Sequence, residues 1–364
     1  MRSFFYKWFA VVSFILIYGC SNEPIVSDTE VNSELNTLNN AEFAESSYSG
    51  FTGPLFDLEA APNGDILIAD SGAGIANSNG DIEISLQGIS NIATLGRGSM
   101  WAITGAPSPE DTARDIGQGL YRVSNGNSQF IANLFDFDAA NNPDGGEIGS
   151  NPYSVVSVNG NTALITDAGA NDLLRVDRQG NVELVAVFPS ELVSTSNVQS
   201  LIGCPNPAPI CDLPPMIPAE AVPTAVAIGP DGYYYVGELK GFPAPIGESN
   251  IWKIAPDTNG AMCGSDPDCI KAFDGGFTSI IDMIFGDDGR LYVAELDAQS
   301  WFSLEVGGSQ GGVIKSCDVN TMECTTIATG IPMLTAIEFD ENGSLWATRN
   351  ALIPGLAEVF KVME

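Results

Sequence analysis

The chain repeats one pattern of apolar and polar positions. VPTAVAIGPDGYYYVGEL (Val222 to Leu239) and SIIDMIFGDDGRLYVAEL (Ser279 to Leu296) align without a gap. Each reads as an apolar run, a turn of Gly and Asp, a second apolar run and then a glutamate. FDLEAAPNGDILIAD (56–70), YSVVSVNGNTALITD (153–167) and TAIEFDENGSLWATR (335–349) repeat the pattern, and NIATLGRGSMWAIT (91–104) is a weaker copy. The pairs Asn63-Gly64, Asn159-Gly160, Asp231-Gly232, Asp288-Gly289 and Asn342-Gly343 tolerate the positive φ of tight turns, so each unit predicts a β-hairpin. Runs of Val, Ile, Leu and Tyr without strict alternation predict strands covered on both faces.

Two further strand-like segments follow most hairpins. LLRVDRQGNVELVAVF (173–188) is the clearest, with GLYRVSNGNSQFIANLF, NIWKIAP and GVIKSCDV in equivalent places. Four strands per unit, six units and no long helical pattern predict an all-β fold, a six-bladed β-propeller of NHL/SMP-30-like type. An irregular β-sandwich is the alternative, which the repetition disfavours. A propeller over residues 42–364 allots roughly 54 residues to each blade. The last unit stops after a third strand, EVFKVM. The N-terminal EFAESSYSG (42–50) resembles TTIATG (325–330) and is expected to complete that last blade.

The N-terminus changes the setting. Arg2 and Lys7 precede an apolar stretch, Phe9 to Tyr18, too short to span a bilayer but suited to a signal peptide. It ends in IYGC, which resembles a lipobox with Cys20 as the lipidated residue. The expectation is a lipoprotein-type signal over 1–20, a flexible tether over 21–41 spanning roughly 25 Å, and the propeller over 42–364. The chain is then held in the bacterial cell envelope as an outer-membrane lipoprotein, on the membrane through its lipid alone. Secretion to the periplasm is the alternative. The other six cysteines fall in close pairs, Cys204/Cys211, Cys263/Cys269 and Cys317/Cys324, read by proximity as three local disulfides.

Net charge is −32, which repels nucleic acid. There is no histidine. That removes Ser-His-Asp and Cys-His catalysis and nearly all catalytic zinc or copper sites, and leaves an oxygen-rich, calcium-type cation as the metal to expect. In a propeller the second strand of each blade ends near one mouth of the central channel. Here those ends are Asp70, Thr104, Asp167, Glu238, Glu295 and Arg349, with Asp57 and Asp282 near the start of two innermost strands. Two carboxylates 8 Å apart repel by roughly 2 kcal/mol at an effective dielectric of 20. Asp70, Asp167, Glu238, Asp282 and Glu295 are therefore candidate ligands of a Ca2+-type cation or a cationic ligand. The bland alternative is solvated residues pointing outward. The same mouth collects long loops, and Tyr153, Phe242, Trp301 and Phe302 offer apolar walls.

NNPDGG (141–146), SNPYSV (150–155), DAGANDLLRVD (167–177), VPTAVAIGPDGYYYVGELKGFP (222–243) and IIDMIFGDDGRLYVAEL (280–296) resemble the ScyD/ScyE family, secreted proteins named from scytonemin pigment biosynthesis. The resemblance covers most of 50–364 and implies an extracytoplasmic six-bladed propeller without a defined activity. Within the matching motifs, Asn151, Tyr153, Asn171, Asp172 and Thr224 are expected to face a ligand, together with Phe242 and Arg349 at the mouth. The leading expectation is a monomeric, lipid-anchored propeller that binds a small molecule, with or without calcium. A calcium-dependent hydrolase of gluconolactonase/SMP-30 type, an oxidative pigment-type enzyme and an envelope-protein scaffold are the alternatives.

Overall fold

The computed structural model describes residues 47–105 and 117–363. The first strand is β1 (Ser47–Ser49). Blade 1 holds β2–β5 (Leu55–Ala60, Ile66–Asp70, Gly74–Ala76, Ile82–Ser85), and blade 2 holds β6–β9 (Ile89–Gly96, Ser99–Thr104, Gly119–Ser124, Asn127–Asn133). Helix α1 (Leu134–Asn141) leads to blade 3, β10–β13 (Pro152–Asn159, Thr162–Asp167, Asp172–Asp177, Val182–Val187). An inserted hairpin, β14 and β15 (Glu191–Ser194, Met216–Ala219), encloses α2 (Ser196–Leu201). Blade 4 is β16–β18 (Pro223–Ile228, Tyr234–Glu238, Ser249–Ile254) with β20 (Cys269–Phe277), while β19 (Ala261–Met262) lies parallel to β13 on blade 3. Blade 5 is β21–β24 (Ile280–Phe285, Leu291–Glu295, Gly312–Asp318, Glu323–Ile331), with α3 (Phe302–Val306) between its second and third strands. Blade 6 is β25–β27 (Ile337–Phe339, Leu345–Arg349, Glu358–Met363). Its outer strand is β1, with Ser47 opposite Phe360 and Ser49 opposite Glu358. The expected signal, the tether, Cys20 and residues 42–46 lie outside the described residues, as does most of the loop after β7.

The repeated turns explain the glycines. Ala61 N–H donates to Asp65 O and Gly64 N–H to Ala61 O, both at 2.9 Å, and the same pair of bonds recurs at 229–233, 286–290 and 340–344. These loops are longer than two-residue turns. Glycine alone takes the positive φ, +83°, +80°, +74° and +81° at Gly64, Gly232, Gly289 and Gly343. Two of the repeats close through two residues instead, Gly96 pairing with Ser99 and Asn159 with Thr162.

The core lies between adjacent blades, which is why the strands are apolar on both faces. Leu164, Val185, Tyr234, Val236 and Trp252 interlock blades 3 and 4, and Ala225, Tyr235, Ile251, Met283 and Val293 interlock blades 4 and 5. At Gly237 the approach is so close that a Cβ would meet Ile280 Cγ2 at 2.7 Å.

Three disulfides join Cys204–Cys211, Cys263–Cys269 and Cys317–Cys324, as befits an oxidising, extracytoplasmic compartment. Cys317 and Cys324 face each other on the third and fourth strands of blade 5. Cys263–Cys269 instead closes the loop that carries β19 onto blade 3, so it does not cross-link two strands of its own blade. Among the described residues no helix is long and apolar enough to cross a membrane.

Candidate functional site in the central channel

The carboxylates that end the second strands turn into the protein. Asp70 accepts the N–H groups of Thr52 at 2.7 Å, Gly53 at 2.8 Å and Gly72 at 3.1 Å. Asp167 accepts from Asn151 N at 2.6 Å, from Gly169 N and Ala170 N, and from Ser150 Oγ. Glu238 takes Trp252 Nε1 at 2.6 Å, Asn250 Nδ2 at 2.8 Å and Lys240 Nζ at 2.8 Å. Glu295 takes Thr278 N and, at 3.0 Å, Lys315 Nζ. Asp70, Asp167 and Glu295 tie their blades to the chain segments leading into them, whereas Glu238 is held by the third strand of its own blade and by Lys240. Burial pushes Asp167 up to about 6 against four hydrogen bonds, and raises Glu238 and Glu295 against their lysines. Among the described residues no three Cys, Asp or Glu side chains converge as a metal group. Arg349 pairs with Glu358 at 2.6 Å on the adjacent strand and lies over Phe360.

Strand alternation then turns the following residue toward the mouth. Ala168, Leu239 and Leu296, each next to one of those carboxylates, line an apolar cavity of about 40 Å³ with Asn151, Tyr153, Thr224, Ile281, Trp301 and Leu352. Asn151, Tyr153 and Thr224, three of the residues expected to face a ligand, lie together in this lining. Asn171, Asp172, Phe242 and Arg349 do not line it. Asn171 accepts Val222 N–H at 3.0 Å and donates to Asp144, and Phe242 packs edge-on against Phe302.

Below the mouth the six inner strands are joined side by side. Ser90, Thr224 and Thr335, in blades 2, 4 and 6, each donate a hydroxyl to the first carbonyl of the next blade, Pro152 at 2.9 Å, Ile280 at 2.6 Å and Leu55 at 2.7 Å. One residue further on, Asp57, Asn91, Ser154 and Asp282 accept an N–H from the next blade: Ile92, Val155, Val226 and Ile337. Ala225 and Ala336 hold this place in blades 4 and 6 and can accept nothing. The N–H groups facing those alanines are taken by the aspartates themselves, Met283 N–H by Asp282 at 2.8 Å and Leu58 N–H by Asp57.

These two aspartates, with Glu59 and Glu338, line a second cavity of about 190 Å³ along the inner strands, and among the described residues no Lys or Arg lines it. Glu59 accepts both N–H and hydroxyl of Thr94, at 2.6 and 2.7 Å. Glu338 accepts Phe339 N–H. All four carboxyls are pushed upward by burial. Asp282 reaches about 7, its two backbone donors opposing, and Asp57 and Glu338 are driven well above their ordinary range by burial and by neighbouring carboxylate charge. Tyr153 is buried beside Asp282 and Asp57, and both burial and those charges keep its phenol protonated. Asp282 is the one residue among the expected cation ligands that faces this void. Glu59 and Glu338 escaped sequence reasoning, because a glutamate inside a strand carries no mark of facing a channel.

No family model matches the chain, and no curated protein matches it at a significant level. It is similar to solved propeller structures. One is a putative oxidoreductase (glucose dehydrogenase) from Thermus thermophilus, 16% identical, covering 86% of this chain and 97% of that one with a TM-score of 0.51. A second is a gluconolactonase from Xanthomonas campestris, 10% identical, covering 86% and 87% with a TM-score of 0.50. A third, of unknown function from Bacteroides thetaiotaomicron, is 11% identical and covers 88% and 73% with a TM-score of 0.51. At these identities the likeness is one of architecture: the chain is a six-bladed β-propeller.

Proposed function

We propose that this is an extracytoplasmic propeller of the ScyD/ScyE kind, lipid-anchored at Cys20, that binds a small cationic or partly apolar ligand in its central channel. One observation carries the reading: four carboxylates line a 190 Å³ cavity with no basic side chain among them, beneath an apolar collar that includes Tyr153. A cavity of about 150 Å³ holds benzene, so the space suits a ligand of a few heavy atoms. A positive charge on that ligand offsets the burial, and then the neighbouring carboxylate charge, that raise these carboxyls. A calcium-type cation is the other occupant such oxygens accept.

Calorimetric titration with tetramethylammonium, small primary amines and CaCl2 tests this. Binding of one of them is expected to strengthen from pH 6 to 8 and to fall at least tenfold in the Asp57→Asn/Asp282→Asn variant. Equal binding by that variant, or none by the wild type, removes the reading. Loss of lipid labelling on Cys20→Ala tests the anchor.

A hydrolase of gluconolactonase/SMP-30 type is the second reading. Asp282 favours it, since a carboxyl near pH 7 beside a protonated phenol suits general acid–base work. A lactone and aryl-ester panel without turnover, with calcium present, eliminates it.

A further inference from the structure

A different carboxylate stands apart from all those above. Asp172, the first residue of β12, is 0% exposed, and among the described residues no donor reaches either of its oxygens. The ring carboxylates described above all have N–H, hydroxyl or lysine donors. Asp138, on α1, is 1% exposed; its Oδ2 accepts Gly149 N–H at 2.8 Å, and among the described residues no donor reaches its Oδ1. The two are linked through a short chain of contacts. Gly149 binds Asp138, the next residue, Ser150, binds Asp167, and Asp167 sits directly opposite Asp172 in the β11–β12 ladder. Asn142, at the C-terminal end of α1, adds a further buried oxygen without a donor, Oδ1.

Three such carboxylate oxygens are costly to bury unless a charge or a proton joins them. Asp172 is buried near the charges of Asp167, Asp138 and Asp144, so the bare pair is electrostatically unfavourable. The donors on offer are carboxylate and amide oxygens, without sulfur or imidazole. That set selects a hard cation of the calcium class over zinc or copper.

We propose that the unpartnered oxygens of Asp172 and Asp138 Oδ1, with Asn142 Oδ1, hold a divalent cation of the calcium class between α1 and β12. The site is separate from the channel. It ties the 134–151 segment, which delivers Asn151 and Tyr153 to the mouth, onto the third strand of blade 3. A bound cation therefore sets the position of the mouth without touching its occupant.

The test is metal content and thermal melting of the purified full-length chain, before and after chelation, with CaCl2, MgCl2 or MnCl2 returned. The expected result is one equivalent of metal per chain and a melting temperature about 5 °C higher at a hundredfold excess of calcium over its dissociation constant. Asp172→Asn should abolish both; calcium that survives in Asp172→Asn and is lost in Asp282→Asn belongs to the channel and overturns this site. If Asp172→Asn fails to fold, Asp138→Asn serves as the second variant, expected to weaken calcium binding at least tenfold. Absence of metal and of any melting shift in the wild type overturns the proposal. So does an Asp172→Asn variant that binds calcium like the wild type, or a metal-free wild type outmelted by Asp172→Asn, which would assign a shared proton to the pair.

Discussion

Asp282 of blade 5 accepts the backbone N–H of Ile337 in blade 6 at 2.8 Å, through a carboxyl that titrates near 7. The same side chain bonds its own Met283 N–H, because the neighbour that would otherwise do so is Ala225. A seam contact and an acidic channel are therefore built from one residue. Its hydrogen bonds favour the ionised form, and burial among three other acids disfavours it more.

The pH dependence follows in sign. An unfolded aspartate titrates near 3.9, whereas Asp282 in the folded protein holds its proton to about pH 7. Below pH 4 both states are protonated and the stabilisation is fully present. Between about 4 and 7 only the folded state keeps the proton, so stability falls as pH rises, and the loss is complete above 7. Asp57 and Glu338, raised in the same direction, add to the slope. Melting temperature should drop from pH 5 to pH 8. Asp282→Asn should flatten that drop, leaving the variant less stable than wild type at pH 5 and more stable at pH 8. A wild-type melting temperature that is level or rising over this range contradicts the assignment.

Thr335 closes the ring between the last blade and the first. Its hydroxyl donates to Leu55 O at 2.7 Å and its backbone N–H reaches Thr348 Oγ1 at 3.0 Å. Thr335→Val keeps the volume and strands a buried carbonyl. The expected cost is about 1–3 kcal/mol in urea unfolding. Thr224→Val, which breaks the equivalent bond to Ile280 at the blade 4–5 seam, should cost a similar amount. The two differ in where they act: hydrogen exchange should quicken at Leu55–Ala60 and Ser47–Ser49 in the first variant and at Ile280–Phe285 in the second.

The hairpin repeat carried the architecture in plain view, because Gly at a fixed turn position and two apolar runs recur along the chain. The direction of the terminal carboxylates was harder to read. Asp167-Ala168, Glu238-Leu239 and Glu295-Leu296 each place an apolar residue after the acid, and alternation sends one inward to N–H donors and the other to the mouth. The pattern was present, but choosing between the two parities needs the partner segments 52–53, 150–151 and 278, which lie 16–18 residues away in sequence. The helices LFDFDAAN and SNVQSL escaped notice because eight and six residues carry too little periodicity to stand out. Lys240 is similar: nothing in GELKGF indicates that its ammonium lies inside.

Each disulfide closes a loop of six or seven residues in sequence separation. Such short loops stabilise modestly, about 2–3 kcal/mol each in the chain-entropy model. Cys263–Cys269 has the wider structural reach, because Cys263 directly follows β19, which lies on blade 3. Cys263→Ser/Cys269→Ser should raise hydrogen exchange at Val182–Val187 as well as in its own blade. Cys204→Ser/Cys211→Ser should leave the blades unchanged and loosen only the 196–213 insertion.

The last prediction concerns Lys240, whose ammonium is 0% exposed and lies 2.8 Å from both Glu238 and Glu191. Although burial works against it, Glu191 is held down to about 2 by Lys240 and Lys271. Lys240→Met removes the cation and leaves Glu238 charged or protonated in a closed site, at a cost of about 3–5 kcal/mol. Replacing both partners by apolar residues often recovers such a loss, but here it should not. Glu238 also accepts Trp252 Nε1 at 2.6 Å and Asn250 Nδ2 at 2.8 Å, and Lys240→Met/Glu238→Leu would orphan both donors. Glu238→Gln should be the mildest of the three, since its amide oxygen still accepts from Trp252. Urea unfolding of the three variants checks the order, Glu238→Gln above Lys240→Met and no recovery in the double variant. A double variant as stable as wild type would mean that the site is an ordinary buried ion pair with no further duty.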